Sequence, residues 1–227
     1  MIILLIAVLL IAGCGIAGKV SNECETKNNS IDRNDCYVKT AASTLNEGYC
    51  KSISDTKTTD YCYEEVYSKL NDTEKCNSIQ SVYWKDICNK NVAEVTLNPE
   101  PCKSLQSESD QNKCFDFVAR KKMDYLICHS ISDTTYAENC LKNVTYSTNN
   151  SELCQEMYSA LSVGECYTNM ARRMGNVSLC NNIKSGELKN ACEAFYYTSF
   201  AKKTSNKTLC NKISNTKLRE ECAKNFN

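Results

Sequence analysis

Beyond a leading apolar run, hydrophobic residues in this 227-residue chain do not gather into blocks. They recur at fixed distances from cysteines. From Cys24 onward the cysteines step by 12 and 14 residues in turn, with a single step of 18 between Cys192 and Cys210. The period is 26 residues, and eight units each read Cys-x11-Cys. A fixed internal period of this size marks a repeat architecture and outranks other sequence signals. Three residues after the first cysteine of a unit stands Ile53, Ile79, Leu105, Ile131, Met157, Ile183 or Ile213, with Lys27 as the one departure. Four and five residues after the second stand pairs such as Val66 and Tyr67, Val92 and Ala93, Val118 and Ala119, and Met170 and Ala171. With the cysteine they form one face at helical spacing.

Polar residues keep the same register. Asn29, Asp55, Ser81, Ser107, Asp133, Ser159, Ser185 and Asn215 lie five residues after the first cysteine. Asn46, Asp72, Asn98, Asp124, Asn150, Asn176 and Asn206 lie four residues before it. All are residues whose side-chain oxygen accepts an orphan amide at a helix start. Two caps per period predict two helices per unit: a short one of about seven residues carrying the first cysteine, and one of about 12–15 carrying the second. Pro99 follows cap Asn98 and Pro101 falls in the same first turn, where a missing amide hydrogen costs nothing. The predicted fold is all-α, with αα-hairpin repeats stacked as a disulfide-stapled α-solenoid over residues 22–227.

Only connectivities that preserve the repeat are reasonable. Pairing across x13 strands Cys24 and Cys222, whereas pairing across x11 uses every cysteine from Cys24 on. The four residues inserted before Cys210, about one helical turn, also leave x11 intact. The expected bonds are Cys24 with Cys36, Cys50 with Cys62, Cys76 with Cys88, Cys102 with Cys114, Cys128 with Cys140, Cys154 with Cys166, Cys180 with Cys192, and Cys210 with Cys222. The insertion is expected to lengthen the seventh unit's second helix. Closing each loop of about 13 residues contributes roughly 3 kcal/mol. Composition makes such staples necessary: after residue 14, Leu, Ile, Val and Phe supply only 36 of 213 residues, below what a conventional core requires. Seventeen cysteines also place the chain in an oxidising compartment.

Residues 1–13 form an apolar run ending in small residues, and Ile11-Ala12-Gly13-Cys14 resembles the lipobox of prokaryotic lipoproteins. The resemblance implies a signal peptide over 1–13, a lipid on the Cys14 thiol, a tether over 14–21, and membrane attachment through that lipid. The repeats would then face outward from the cell membrane or envelope. Lys or Arg before the run, usual in signal peptides, is absent. The alternative is a single N-terminal transmembrane anchor, since residues 2–18 are 17 apolar or small residues, at the short end of a spanning helix. Stapling each αα repeat with a disulfide is similar to Sel1-like cysteine-rich proteins; their repeat is longer and rich in Ala and Gly, so the likeness is one of principle.

Chemistry is sparsely supplied. His129 is the sole histidine and occupies a register position filled elsewhere by Lys or Asn, so no His-based triad or multi-His metal site is available. There is no CxxC and no glycine-rich phosphate loop. Glu64-Glu65 and Glu220-Glu221 read as solvated helix faces. No cofactor, metal site or catalytic residue is expected. Asn28, Asn71, Asn143, Asn149, Asn176 and Asn206 begin Asn-x-Ser/Thr sequons and are candidate glycosylation sites. The 27 basic and 27 acidic residues balance, which argues against a whole-chain nucleic-acid binder. Yet from residue 168 on, eleven bases face four acids; Arg172, Arg173, Lys202 and Lys203 are candidate polyanion contacts. These features point to a binding or scaffolding module at the cell envelope whose partner is an envelope protein or glycan. A structural spacer and an envelope-polymer hydrolase are the alternatives.

Overall fold

A computed structural model describes residues 23–226. The expected signal peptide over 1–13, the expected lipid site Cys14 and the expected tether over 14–21 lie outside the described residues. The chain divides into two compact bodies between Cys114 and Phe115. The N-terminal body holds α1 (Ser30–Thr44), α2 (Thr56–Leu70), the short α3 (Thr73–Asn77) and α4 (Val82–Thr96), and α5 (Glu108–Lys122) runs across its boundary. The C-terminal body holds α6 (Thr134–Thr148), α7 (Ala160–Met174), α8 (Gly186–Thr204) and α9 (Thr216–Lys224). Short 3-10 turns precede all the long helices from α2 on, except α4, which α3 precedes. No strand occurs among the described residues. Successive long helices pack side by side: α1 on α2 and α2 on α4 in the first body, α6 on α7, α7 on α8 and α8 on α9 in the second. The fold is all-α, built of stacked αα-hairpins in solenoid fashion.

Eight disulfides join the cysteines within their own units, Cys24–Cys36 through Cys210–Cys222, each across a sequence separation of 12. Their Cα atoms lie 5.5–5.8 Å apart, inside the ordinary disulfide range. Each bond ties a short turn to the long helix that follows it. The first cysteine of every unit is at most 2% exposed. The apolar residue three positions on is buried at Ile53, Ile79, Leu105, Ile131, Met157, Ile183 and Ile213. Val66, Val92, Val118, Val144 and Met170 close the core from the long helices.

The short element differs from the expected seven-residue helix. Five are six-residue 3-10 turns, Glu47–Ser52, Tyr125–Ser130, Ser151–Glu156, Val177–Asn182 and Lys207–Lys212, and Glu100–Ser104 has five residues. The cap explains the tightening. Asn46, Asp124, Asn150, Asn176 and Asn206 accept from the amide two residues on. The exit residue then donates to the first cysteine's carbonyl, as Ile53 does to Cys50 and Ile131 to Cys128, both at 3.2 Å. Both features draw the chain into an i→i+3 turn. In α3, where Asp72 accepts from Lys75 three residues on, the turn opens into α geometry.

The same Asx residue also ends the preceding helix. The backbone amides of Asn46, Asp72, Asp124, Asn176 and Asn206 donate to Ala41, Tyr67, Ala119, Ala171 and Ala201 at 2.9–3.1 Å. This closure requires a left-handed residue just before the Asx. Leu45, Asn71, Leu97, Met123, Asn149, Gly175 and Ser205 supply it, with φ of 51–66°. Glycine serves at one of the seven, which is why the helix ends carry no glycine signature. Six long helices have 15 residues, and α8 has 19. The insertion therefore adds one turn to α8 without a bulge.

Candidate functional site

Units are stitched by carboxylates two residues before the second cysteine. Asp60 on α2 is 4% exposed and accepts the amides of Gln80 at 3.4 Å and Ser81 at 2.9 Å, in the turn leading into α4. Asp86 on α4 takes the Gln106 amide at 3.3 and 3.2 Å. Glu138 on α6 takes the amides of Tyr158 and Ser159 at 3.1 Å, and the Ser162 hydroxyl. Each carboxylate thus satisfies donors at the start of the next long helix, where the helix dipole also favours negative charge. In the seventh unit the role moves to Glu193, one helical turn further along, which holds the Ser214 amide and hydroxyl. The displacement matches the turn inserted in α8. In the sixth unit the position is Gly164, and Leu188 of α8 occupies the space: a Cβ on Gly164 would lie 3.2 Å from Leu188 Cδ1.

Glu64 corrects the reading of Glu64-Glu65 as a solvated pair. It is 4% exposed, accepts Asn91 Nδ2 at 2.9 Å, and its carboxyl is pushed above the ordinary glutamate range, chiefly by burial. Glu65 is half-buried and pairs with Lys69 at 3.0 Å. Glu220 and Glu221 are exposed. Glu47 bonds Lys75 at 2.8 Å across units and, held mainly by that contact, lies below the usual carboxylate range, while burial raises the adjoining Tyr67 hydroxyl. These buried groups link neighbouring units. Neither Asp60 nor Glu64 lines a cleft described below.

Open clefts run between neighbouring long helices. In the first body Asp35, Lys39 and Ser43 of α1 face Tyr61, Glu65 and Lys69 of α2 around about 300 Å³. In the second, Leu161, Gly164 and Thr168 of α7 face Leu188, Ala191 and Phe195 of α8 around about 400 Å³. Leu161 is 59% and Phe195 46% exposed. The Arg172 guanidinium lies over the Phe195 ring, 5.4 Å from its centre. A further cleft of about 350 Å³ lies between the turns before α7 and α8, bordered by Met157, Tyr158, Ile183 and Lys184.

The structure brings some of the sequence-derived residues together and leaves others apart. Arg172 and Arg173 end α7, and Lys202 and Lys203 end α8, so the four share one end of a packed helix pair. His129 is exposed, with Nδ1 2.9 Å from the Tyr158 hydroxyl and Nε2 3.5 Å from Glu156. The six sequon asparagines are all exposed. Asn71 and Asn149 hold left-handed positions. Asn176 and Asn206 are caps that bind the hydroxyl of their own sequon, Ser178 and Thr208. Asn28 and Asn143 stand apart from these ends. Among the described residues no helix is long and apolar enough to cross a membrane, and no cluster of three metal-ligating side chains forms. No family model, curated protein or solved structure matches the chain.

Proposed function

We infer that the protein is a binding or scaffolding module of the cell envelope, held at the membrane through a lipid on Cys14. The observation that carries this reading is the α7–α8 cleft. Apolar side chains line most of it, with Glu165, Thr168 and Asn169 at its border, and Leu161 and Phe195 remain exposed although the neighbouring core positions are fully buried. A repeat stack presents successive grooves of this kind on a rigid frame. Eight disulfides, all buried except at the part-exposed Cys36, supply that rigidity and require an oxidising setting, which agrees with an address outside the cell.

A photo-crosslinking amino acid at Phe195 tests the binding role in intact cells of the native host. A discrete adduct absent when the same probe stands at Lys57 supports a partner in the cleft. The same adducts from both positions would leave the spacer reading in its place. Cys14→Ser tests the anchor: the wild-type protein should incorporate labelled lipid and the variant none. A wild-type chain without lipid, still beginning at Met1, would replace the lipid with a spanning segment.

A further inference from the structure

We propose that the C-terminal ends of α7 and α8 form a docking edge for a linear anionic polysaccharide. The proposal rests on the binding-module reading and names its ligand class. Arg172 and Arg173 occupy the last turn of α7, and Lys202 and Lys203 the last turn of α8. The two helices pack together, so the pairs sit on neighbouring rods whose axes are about 8–10 Å apart. All four side chains are exposed, and none pairs with an acid among the described residues. Two are positioned: Arg173 Nε donates to Asn149 Oδ1 at 2.9 Å, and Arg172 rests over Phe195.

Local charge is one-sided. No Asp or Glu occurs between Glu165 and Glu187, or between Glu193 and Glu220, while the second stretch carries six bases. Bases at a helix C-terminus complement its dipole, but that effect does not explain the loss of acids over two successive units. The edge therefore concentrates positive potential in a protein of zero net charge.

The form of the edge selects the ligand. The bases are divided between the last turns of two helices, and Arg173 reaches back to Asn149 while Arg172 lies over Phe195. Charges spread in this way suit a chain carrying charges at intervals better than a single small anion. A membrane surface fits less well, because Met174 and the Phe195 ring under Arg172 are the large apolar groups prominently exposed beside these bases, and interfacial binding draws on a broader apolar face. The capping Asn176, Ser178, Asn206 and Thr208 beside the bases offer polar neighbours instead.

The test uses the full-length protein with intact disulfides. Binding is measured to dextran sulfate, polygalacturonate, uncharged dextran, phosphatidylglycerol vesicles and a single-stranded oligonucleotide. Two quadruple variants are compared. One replaces Arg172, Arg173, Lys202 and Lys203 with Ser; the other replaces Lys27, Lys51, Lys57 and Lys85 with Ser and changes net charge equally. Circular dichroism checks that both keep their helix content. The wild type should bind both acidic polysaccharides, with affinity falling about tenfold or more between 0.05 and 0.3 M salt. The edge variant should lose at least about tenfold and the control variant less than about twofold. Equal losses would reduce the effect to net charge and overturn the edge. Stronger binding to vesicles or to the oligonucleotide would overturn the polysaccharide. If no polyanion binds while the Phe195 adduct persists, the ligand class fails and the binding module stands; if both vanish, both readings fall.

Discussion

Glu64 is the residue at which a surface-looking sequence conceals a buried charge. Burial raises its carboxyl above the ordinary glutamate range, so the folded state holds the proton more tightly than the unfolded chain does. Between the ordinary value and the raised one, stability from this group falls as pH rises, and above the raised value its full penalty applies. Glu64→Gln keeps an acceptor for Asn91 and removes the charge. Thermal melts should show the variant more stable than wild type at pH 7, with the gain shrinking to nothing as pH falls below the ordinary glutamate range. A constant offset at every pH would refute the assignment. Asp60, also buried, accepts two backbone amides of the next unit. Asp60→Ala leaves those donors unpaired and should cost about 1–3 kcal/mol in denaturant unfolding. Asp60 and Glu64 stand four residues apart on one helix and look alike in the sequence. Only the neighbouring unit distinguishes them.

At the scale of the element, cap positions and helix lengths were legible because they rest on interactions within a few residues. Asn46, Asp72, Asp124, Asn176 and Asn206, four residues before a first cysteine, each do two local jobs, closing one helix and opening the next turn, and the recurrence of Asx there follows from both. The 3-10 character of that turn was not legible. An Asx cap serves either geometry, and the choice depends on which amide it meets. The extra turn of α8 offers a sharper test of how elements connect. Deleting residues 196–199 restores the ordinary spacing but takes Glu193 out of reach of Ser214. Hydrogen exchange should then show the Ser214 amide losing protection. Adding Asn190→Asp should restore it, because residue 190 becomes the register equivalent of Asp60. Unchanged protection in the deletion alone would mean that Glu193 does not stitch the units.

For the whole molecule, the disulfides substitute for a large aliphatic core. Removing one, by Cys128→Ala with Cys140→Ala, should cost about 3 kcal/mol in denaturant unfolding. Reducing all eight should produce a large loss of helicity by circular dichroism, because turns of six residues and helices of 15 are marginal alone in water. Retention of native helix content after full reduction would show that packing suffices. The charge imbalance was visible in the sequence, but the shared edge of Arg172, Arg173, Lys202 and Lys203 required the packing of α7 on α8.

The sequence by itself determined the period, the two helical elements per unit, the pairing of cysteines across x11, and the site of the lengthened helix. All of these follow from short-range hydrogen bonding and chain closure, which leave marks every 26 residues. Tertiary structure alone decided which carboxylates are buried and what they hold. Asp60 and Glu138 reach amides about 20 residues away through contact between units. Gly164 gives up that role because Leu188 fills the space beside it. Side-chain burial is set by the neighbour that packs against a face, and no single helix's sequence carries that neighbour's shape.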